Sequence, residues 1–264
     1  MTGTTTVDMH NFLSNLTTHW VNLILERGLY FGDWSSFPVD YKMSSYCTGT
    51  CTGELTHESA IDSMSQRLGF PTVPRTVVMG EKEKFKQQWI IQNGLASGST
   101  HLFDDVGLIQ EGKASCIVHA SSSIQCSIHD VARPHNFKAG FSCKLFSKMH
   151  GSFSEFRTAM QDGNGGSSVR TFLACRDFIE LKCVDTFVLE NVDSIGDEHE
   201  ETSNLARCLT ALREMNNNMY KVVSALIRSS DYALPQSRHP FLKWVGICGV
   251  LGCLYCFIYI IYIS

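Results

Sequence analysis

Short β-branched runs alternate with helical stretches along most of this chain, and this alternation limits the fold more than any other feature. Strands are predicted at residues 77–79, 116–119, 138–142, 186–189 and 220–226, and helices at 8–28, 83–92, 169–181 and 205–215. Such alternation builds βαβ units, so we expect an α/β fold with a mostly parallel sheet flanked by helices. Ligands of these sheets bind outside the carboxyl ends of the strands.

Composition and charge indicate a globular protein without an overall basic character. Apolar residues make up 44% and charged residues 18%, which supplies a core, and the formal net charge is −4. Any surface that binds nucleic acid must therefore be local. The eleven cysteines are scattered and no secretory signal precedes them, so we expect reduced thiols. Neither Cys47/Cys51 nor Cys248/Cys253 has a second pair at zinc-ligand spacing, and we predict no metal site.

The carboxyl-terminal segment stands apart because residues 244–263 are almost all apolar and carry no charge. This length can cross a bilayer as a transmembrane helix, which would make the segment a membrane anchor. Two alternatives remain open. Residues 244–247 also fit a buried strand of the sheet, and the remainder also fits read-through past a splice boundary.

Three segments in the second half of the chain place reactive side chains after predicted strands. GFSCKLFS puts Cys143 on a loop at a strand end, where a thiol can be activated as a nucleophile. TFVLENV brings Glu190 and Asn191 to the end of a buried strand, and burial suits a carboxyl group to proton transfer. SDYALPQSR presents Gln236 and Arg238 on a loop. Taken singly, each segment also fits an ordinary loop or a satisfied polar pair.

Taken together, GFSCKLFS, ENV and YALPQSRHP resemble, in order, the motifs of the DNA cytosine-C5 methyltransferase family. That family has a Rossmann-like class I methyltransferase fold and uses S-adenosylmethionine. SSYCTGTCTGEL stands where the family has its glycine-rich cofactor loop, and VVMGEKEKF and HLFDDV resemble the next two strand ends. The resemblance implies cofactor binding by Cys47, Gly49, Thr50, Gly53, Glu81 (or Glu83), and Asp104 or Asp105.

The resemblance also implies a mechanism. A cytosine is flipped out of DNA, and the Cys143 thiolate attacks its C6 so that C5 can accept the methyl group. Glu190 would hold the cytosine N3 and amino group, and Asn191 would shape the loop. Arg238, supported by Gln236, would orient the pocket. An RNA substrate such as tRNA remains an alternative to DNA.

Several positions depart from the family pattern. Ser142 replaces the usual proline before the nucleophile, Cys51 replaces the second glycine of the cofactor loop, and Pro240 replaces the second arginine of the last motif. We divide the chain into an N-terminal helix and lead-in at 1–45, a catalytic core at 46–247 without a target-recognition region, and the apolar segment at 244–264.

Three hypotheses about function therefore stay open. The chain is an active methyltransferase, or an inactive homologue that acts by binding, or a membrane-anchored protein on this scaffold. The family implies the nucleus or cytoplasm, and a genuine anchor would imply a membrane. The oligomeric state is not predicted.

Overall fold

The computed structural model describes residues 37–49, 51–96, 100–107, 112–119, 125–144, 167–196, 203–227 and 241–248. It also describes five single positions nearer the amino terminus, at residues 15, 18, 19, 22 and 26. All five are helical, in agreement with the helix predicted at 8–28.

The secondary structure alternates as predicted. The elements are β1 (Asp40–Tyr46), α1 (Thr52–Leu68), β2 (Val73–Gly80), α2 (Lys84–Gln92), β3 (His101–Phe103), β4 (Lys113–Ser115), β5 (Gln125–Ser127), β6 (Asn136–Gly140), α3 (Ser167–Lys182), β7 (Thr186–Val192), a 3-10 helix (Asp193–Gly196), α4 (Asn204–Arg213), β8 (Tyr220–Ile227) and β9 (Phe241–Cys248).

Seven of these strands form one sheet in the order β3-β2-β1-β6-β7-β9-β8. Strand β9 is antiparallel to both of its neighbours, and the other strands of the sheet run in one direction. Strands β4 and β5 form a separate antiparallel hairpin. The predicted α/β fold with a mostly parallel sheet is confirmed.

Helices cover both faces of the sheet, because successive strand residues point to opposite sides. Val78 of β2 belongs to a core cluster that includes Phe178 of α3 and Cys208 of α4. The next residue, Met79, packs instead in a cluster with Ile90 of α2. The sheet is therefore buried between two helical layers. Ligands of such sheets bind outside the carboxyl ends of the strands, and this end of the sheet is called the sheet edge below.

His135 holds the start of β6 against the start of β1. Its Nδ1 accepts a hydrogen bond from the backbone N–H of Lys42 at 3.0 Å, and its ring stacks on Tyr41 with a centroid separation of 5.4 Å. Burial lowers the pKa of His135 from its ordinary value of 6.5. The accepting nitrogen must carry no proton, so this contact requires the neutral ring.

We expect His135 to contribute to the loss of stability in acid. Because its folded-state pKa lies below 6.5, its contribution is complete above that pH and is lost as pH falls further. His135→Asn keeps an acceptor for the Lys42 N–H but cannot titrate. It should reduce the pH dependence of the free energy of unfolding below pH 6.5 by at most about 1.4 kcal/mol per pH unit. Urea denaturation at several pH values measures how the free energy of unfolding depends on pH. An equal dependence in wild type and His135→Asn would contradict the contribution of His135.

One predicted strand is wrong. Residues 116–119 do not form a strand: Cys116 makes one antiparallel bridge to Phe103, and residues 117–119 bend. The segment pairs with the edge of β3 only briefly, through the hydrogen bond from the Ile117 N–H to the Leu102 carbonyl at 2.8 Å. Strand β1 begins at Asp40, ahead of the core boundary predicted at residue 46.

The start of the apolar carboxyl-terminal segment is part of the sheet. Residues 244–247 lie in β9, as the strand alternative predicted, and this strand pairs with β7 from Thr186↔Ile247 to Val192↔Phe241. A transmembrane helix that begins at Trp244 is therefore not observed. Residues 249–264 lie outside the described part of the chain, and a membrane anchor there stays a prediction. Among the described residues, no helix has the length and apolar character needed to cross a membrane.

Candidate active site

The loop after β1 is held in an unusual backbone conformation. φ is +55° at Cys47, +63° at Gly49 and +62° at Cys51. Glycine adopts this region freely, whereas each cysteine pays roughly 1–2 kcal/mol, so the surroundings must hold the loop in place. One such contact is the hydrogen bond from the Thr48 N–H to the Gly80 carbonyl at 3.1 Å. No atom of the described residues lies within 4 Å of the position that a Cβ would take at Gly49, which leaves room for a ligand.

Glu81 ties this loop to the end of β2. One oxygen of its buried carboxylate accepts from the Gly49 N–H at 2.7 Å, and the other accepts from the Glu83 N–H at 2.9 Å. The Glu83 side chain is exposed and forms an ion pair with Lys86 at 3.1 Å. Of the two acids proposed for the cofactor ribose, Glu81 therefore has the better position, because it already lies against the glycine loop.

The two acids after β3 have different surroundings. Asp105 accepts from the Gly107 N–H at 2.8 Å, pairs with Arg170 at 3.1 Å and lies 3.9 Å from Lys82. In contrast, Oδ1 of Asp104 is buried and has no hydrogen-bond partner among the described residues. Both acids line a cavity of about 690 Å³ at the carboxyl ends of β2 and β3. Asp104 thus has a buried acceptor without a partner beside this cavity, a kind of group that calls for an explanation.

Cys143 and Glu190 lie at neighbouring strand ends on the same edge of the sheet. Strands β6 and β7 are parallel neighbours, with Gly140 paired to Glu190. The Asn191 side-chain amide donates to the Phe141 carbonyl at 3.0 Å, which ties the ENV strand to the loop two residues before Cys143. The Cys143 side chain is exposed. The arrangement places an exposed thiol and a carboxyl group at the ends of neighbouring parallel strands.

A small pocket joins the cofactor loop to the ENV strand. Its volume is about 130 Å³, and its lining includes Cys47 and Thr48 after β1, Gly53 at the start of α1, Gly140 at the end of β6 and Glu190 on β7. Along this edge of the sheet, the small pocket spans β1, β6 and β7, while the larger cavity lies at β2 and β3. The two cavities therefore follow one another along the sheet edge.

A buried lysine in the small pocket was missed by sequence reasoning. Lys138 of β6 is only 8% exposed, and its Nζ lies 3.8 Å from Oε2 of Glu54, which is 3% exposed. Burial lowers the pKa of Lys138, and the carboxylates of Glu54 and Glu58 oppose this shift. A Cβ at Gly53 would lie 3.1 Å from Nζ, so the first turn of α1 packs directly on the lysine. A lysine within a strand is usually taken as exposed, and nothing in NFKAG indicates otherwise.

The cofactor-loop thiols are poor nucleophiles. Burial and the nearby Glu81 carboxylate raise the pKa of Cys47 to about 12, and burial followed by Glu54 raises the pKa of Cys51 as well. Both groups are therefore neutral thiols near neutral pH, and only a thiolate attacks or binds metal efficiently. Neither cysteine is therefore a good candidate for a nucleophile.

The structure describes most of the predicted site and brings it to one edge of the sheet. The described candidates lie at or after the ends of five strands: Cys47, Gly49 and Gly53 after β1, which was not predicted, Glu81 after β2, Asp104 and Asp105 after β3, Cys143 after β6, and Glu190 and Asn191 in β7. Thr50, Gln236 and Arg238 lie outside the described residues, and their roles stay predictions.

Several solved structures resemble this fold at low sequence identity. A protein described as a DNA modification methyltransferase encoded within an E. coli prophage is 13% identical, with a TM-score of 0.46, over 80% of this chain and 47% of its own. The Dnmt2 methyltransferase of S. pombe is 10% identical, with a TM-score of 0.43, over 81% of this chain and 51% of its own. A protein described as a class I S-adenosylmethionine-dependent methyltransferase from Listeria monocytogenes is 10% identical, with a TM-score of 0.49, over 91% of this chain and 70% of its own. The chain spans about half the length of the first two proteins.

A family model gives the decisive comparison. No curated protein sequence matches the chain significantly. Residues 119–242 match the model of the C-5 cytosine-specific DNA methylases, and this segment contains Cys143, Glu190 and Arg238. S-adenosylmethionine, the predicted cofactor, is the one that this family implies. The resemblance seen in the sequence is confirmed for residues 119–242, which match the C-5 cytosine-specific DNA methylase family.

Proposed function

We propose that this protein transfers a methyl group from S-adenosylmethionine to C5 of a cytosine in DNA, through a transient covalent bond between Cys143 and C6 of the base. The observation that carries the proposal is the meeting of three elements at one sheet edge. The Cys143 loop and the Glu190 strand end side by side, the Asn191 amide ties them together, and the cofactor loop lines the same small pocket as Glu190.

The residues at the sheet edge fit the cofactor. Asp104 has a buried, unpartnered oxygen on the larger cavity, which suits an adenine amino group. Glu81 presents a carboxylate beside the Gly49 loop, which suits ribose hydroxyls, since each carboxylate oxygen can accept more than one hydrogen bond. S-adenosylmethionine would supply an electrophilic methyl group to this edge.

The protein side chains then act on the cytosine. Addition of the Cys143 thiolate forms an Sγ–C6 bond and breaks the C5–C6 double bond, which makes C5 nucleophilic. Glu190 would hold a proton at the cytosine N3 and so stabilise the charge that develops in the ring. After methylation, departure of the C5 proton and of the thiolate restores the aromatic ring. Asn191 positions Cys143 through the Phe141 carbonyl.

Transfer of a labelled methyl group tests the proposal. The protein is incubated with S-adenosylmethionine carrying a tritiated methyl group and with either duplex DNA or tRNA, and the nucleosides are then separated. Label in 5-methyldeoxycytidine is the expected result. Label in 5-methylcytidine alone would mean that the substrate is RNA and not DNA. Bound cofactor without label in either product would overturn the proposed activity.

An inactive homologue that acts by binding is the second candidate. Pro240 stands where the family has its second arginine of the last motif, and the formal net charge of −4 provides no general attraction for DNA. Calorimetry with S-adenosylhomocysteine separates this candidate from an unfolded or unrelated protein. Tight binding together with no methyl transfer would support it.

We expect Asp104 to contribute more to cofactor binding than Asp105. Asp104→Ala removes the unpartnered acceptor on the cavity and should raise the Kd for S-adenosylhomocysteine about tenfold, the equivalent of one hydrogen bond to a charged group. Asp105→Asn is the control, because it keeps an acceptor for the Gly107 N–H and weakens only partly exposed ion pairs. Isothermal titration calorimetry measures both. A larger effect at Asp105 would reverse the assignment.

A further inference from the structure

Four potential metal ligands converge beside the edge strand β3, away from Cys143 and Glu190. They are His101, Cys116, His119 and Cys126, and one ligand atom from each lies within 4.8 Å of the others. Cys116 is fully buried, and the other three side chains are partly buried. The four residues come from three places: His101 opens β3, Cys116 and His119 belong to the bend after β4, and Cys126 lies in β5.

The distances within the cluster fit a tetrahedral metal. Nδ1 of His119 lies 3.2 Å from the Cys116 sulfur and 3.7 Å from the Cys126 sulfur, and the His101 and His119 rings have a centroid separation of 4.5 Å. Bonds of about 2.0 Å to nitrogen and 2.3 Å to sulfur place neighbouring ligand atoms of a tetrahedral zinc site roughly 3.3–3.8 Å apart. The two nitrogen–sulfur separations, 3.2 and 3.7 Å, are close to the edge lengths of such a tetrahedron, the first slightly shorter and the second within the range.

Hydrogen bonding alone explains the cluster poorly. Nδ1 of His119 holds at most one proton, so it cannot donate to both sulfurs at full strength. Nδ1 of His101 is buried and has no hydrogen-bond partner among the described residues. An unpaired buried nitrogen is costly, and a shared cation would satisfy it together with the two thiols.

The bend at residues 117–119 produces the convergence. In a strand, side chains three positions apart point to opposite faces, so a strand at 116–119 would separate Cys116 from His119. The bend brings both side chains to one side, opposite Cys126 of the hairpin and His101 of β3. The departure from the predicted strand is therefore what creates the ligand set.

We propose that His101, Cys116, His119 and Cys126 form a structural zinc site. Two thiolates and two imidazoles are the donors of closed Cys₂His₂ zinc sites, and zinc favours this mixture in tetrahedral geometry. Binding would release the two thiol protons to solvent and leave a site of zero net charge, which suits its partial burial. This site does not depend on the proposed methyl transfer.

The metal would fix the edge of the sheet next to the larger cavity. In the described residues, backbone pairing between the β4–β5 region and β3 is limited to one bridge, Phe103↔Cys116, with its two hydrogen bonds. Zinc would cross-link the β4–β5 hairpin to β3. Ile117, between two of the ligands, lines the cavity with Asp104, so the metal would hold that wall in position.

Metal analysis of the full chain, purified without chelators, tests the site. We expect about one zinc per chain, and less than about a tenth of that in Cys116→Ser and Cys126→Ser. Cys183→Ser, which alters an exposed cysteine after α3, is the matched control and should keep its zinc. Undiminished zinc in both ligand variants would overturn the proposal.

Cobalt replacement provides a test that does not rely on the folding of variants. Wild-type protein stripped of metal and loaded with Co²⁺ should show the intense visible bands of tetrahedral cobalt and a thiolate charge-transfer band in the near ultraviolet. Absence of these bands would overturn the proposal. So would a Cys116–Cys126 disulfide in the freshly purified protein, detected as a mass two hydrogens lower that rises on reduction.

Discussion

Wild-type protein is expected to form a denaturant-stable adduct with duplex DNA that contains 5-fluorocytosine, and Cys143→Ser is expected to abolish it. The fluorine at C5 cannot leave as a proton does, so the covalent Sγ–C6 bond that normally breaks at the end of the cycle is retained. The experiment requires S-adenosylmethionine, because methyl transfer precedes the blocked step. Gel electrophoresis under denaturing conditions measures the adduct.

The chain provides a matched control for this experiment. Cys183 is also exposed, but it lies between α3 and β7, at the amino-terminal edge of the sheet, opposite the proposed site. Cys183→Ser should therefore form the adduct as wild type does. An adduct that survives in Cys143→Ser would show that Cys143 is not the nucleophile. Loss of the adduct in Cys183→Ser as well would show that the effect is not specific to Cys143.

The same assay can separate the role of Glu190 from that of Cys143. Glu190→Gln cannot hold a proton at the cytosine N3, so we expect the rate of adduct formation to fall about 100- to 1,000-fold, the usual effect of losing one group that stabilises developing charge. Cofactor binding should be unchanged. A fall in S-adenosylhomocysteine affinity instead would place Glu190 on the cofactor side of the small pocket that it lines with Cys47.

The sequence was sufficient to predict a mostly parallel sheet because apolar strand patterns are local. The family resemblance then placed most of the candidate residues at the ends of its strands. Runs such as TFVLENV are apolar enough to be central strands, and parallel strands bring their carboxyl ends to one edge. Glu81, Asp104, Cys143 and Glu190 could therefore be assigned to that edge before any contact was known.

Strand β1 escaped prediction because two adjacent serines interrupt its buried apolar residues. In DYKMSSY, Ser44 and Ser45 are buried, and their hydroxyl groups are satisfied by the Asn136 carbonyl at 3.1 Å and by Thr48 Oγ1 at 2.8 Å. Two buried serines in a strand of seven residues weaken the hydrophobic pattern by which a strand is detected. The partners of these serines become known only from tertiary structure.

The proposed zinc ligands were missed for a related reason. A zinc site is recognised in a sequence by two close pairs of ligands. The four residues of this cluster are instead spread over β3, the bend after β4, and β5. The one local signal is Cys116 and His119, separated by two residues, and the strand prediction placed them on opposite faces. Only the observed bend unites them.

Lys138→Met is expected to cause the largest loss of stability among the substitutions considered. Nζ of Lys138 lies 3.8 Å from the Glu54 carboxylate, and both residues are less than 10% exposed. Removal of the cation leaves the carboxylate buried without a counter-charge, which typically costs about 3–5 kcal/mol. Urea denaturation near neutral pH should show a decrease in the free energy of unfolding of this size.

A double substitution distinguishes this effect from lost packing. If the loss comes from the stranded carboxylate, Lys138→Met combined with Glu54→Gln should be more stable than Lys138→Met alone, since the remaining buried group is neutral. If the loss comes from the space that the lysine chain fills beneath Gly53, the second change should give no recovery. Recovery would assign Lys138 the role of neutralising the charge beneath the cofactor loop. No recovery would mean that it supports α1 by packing alone.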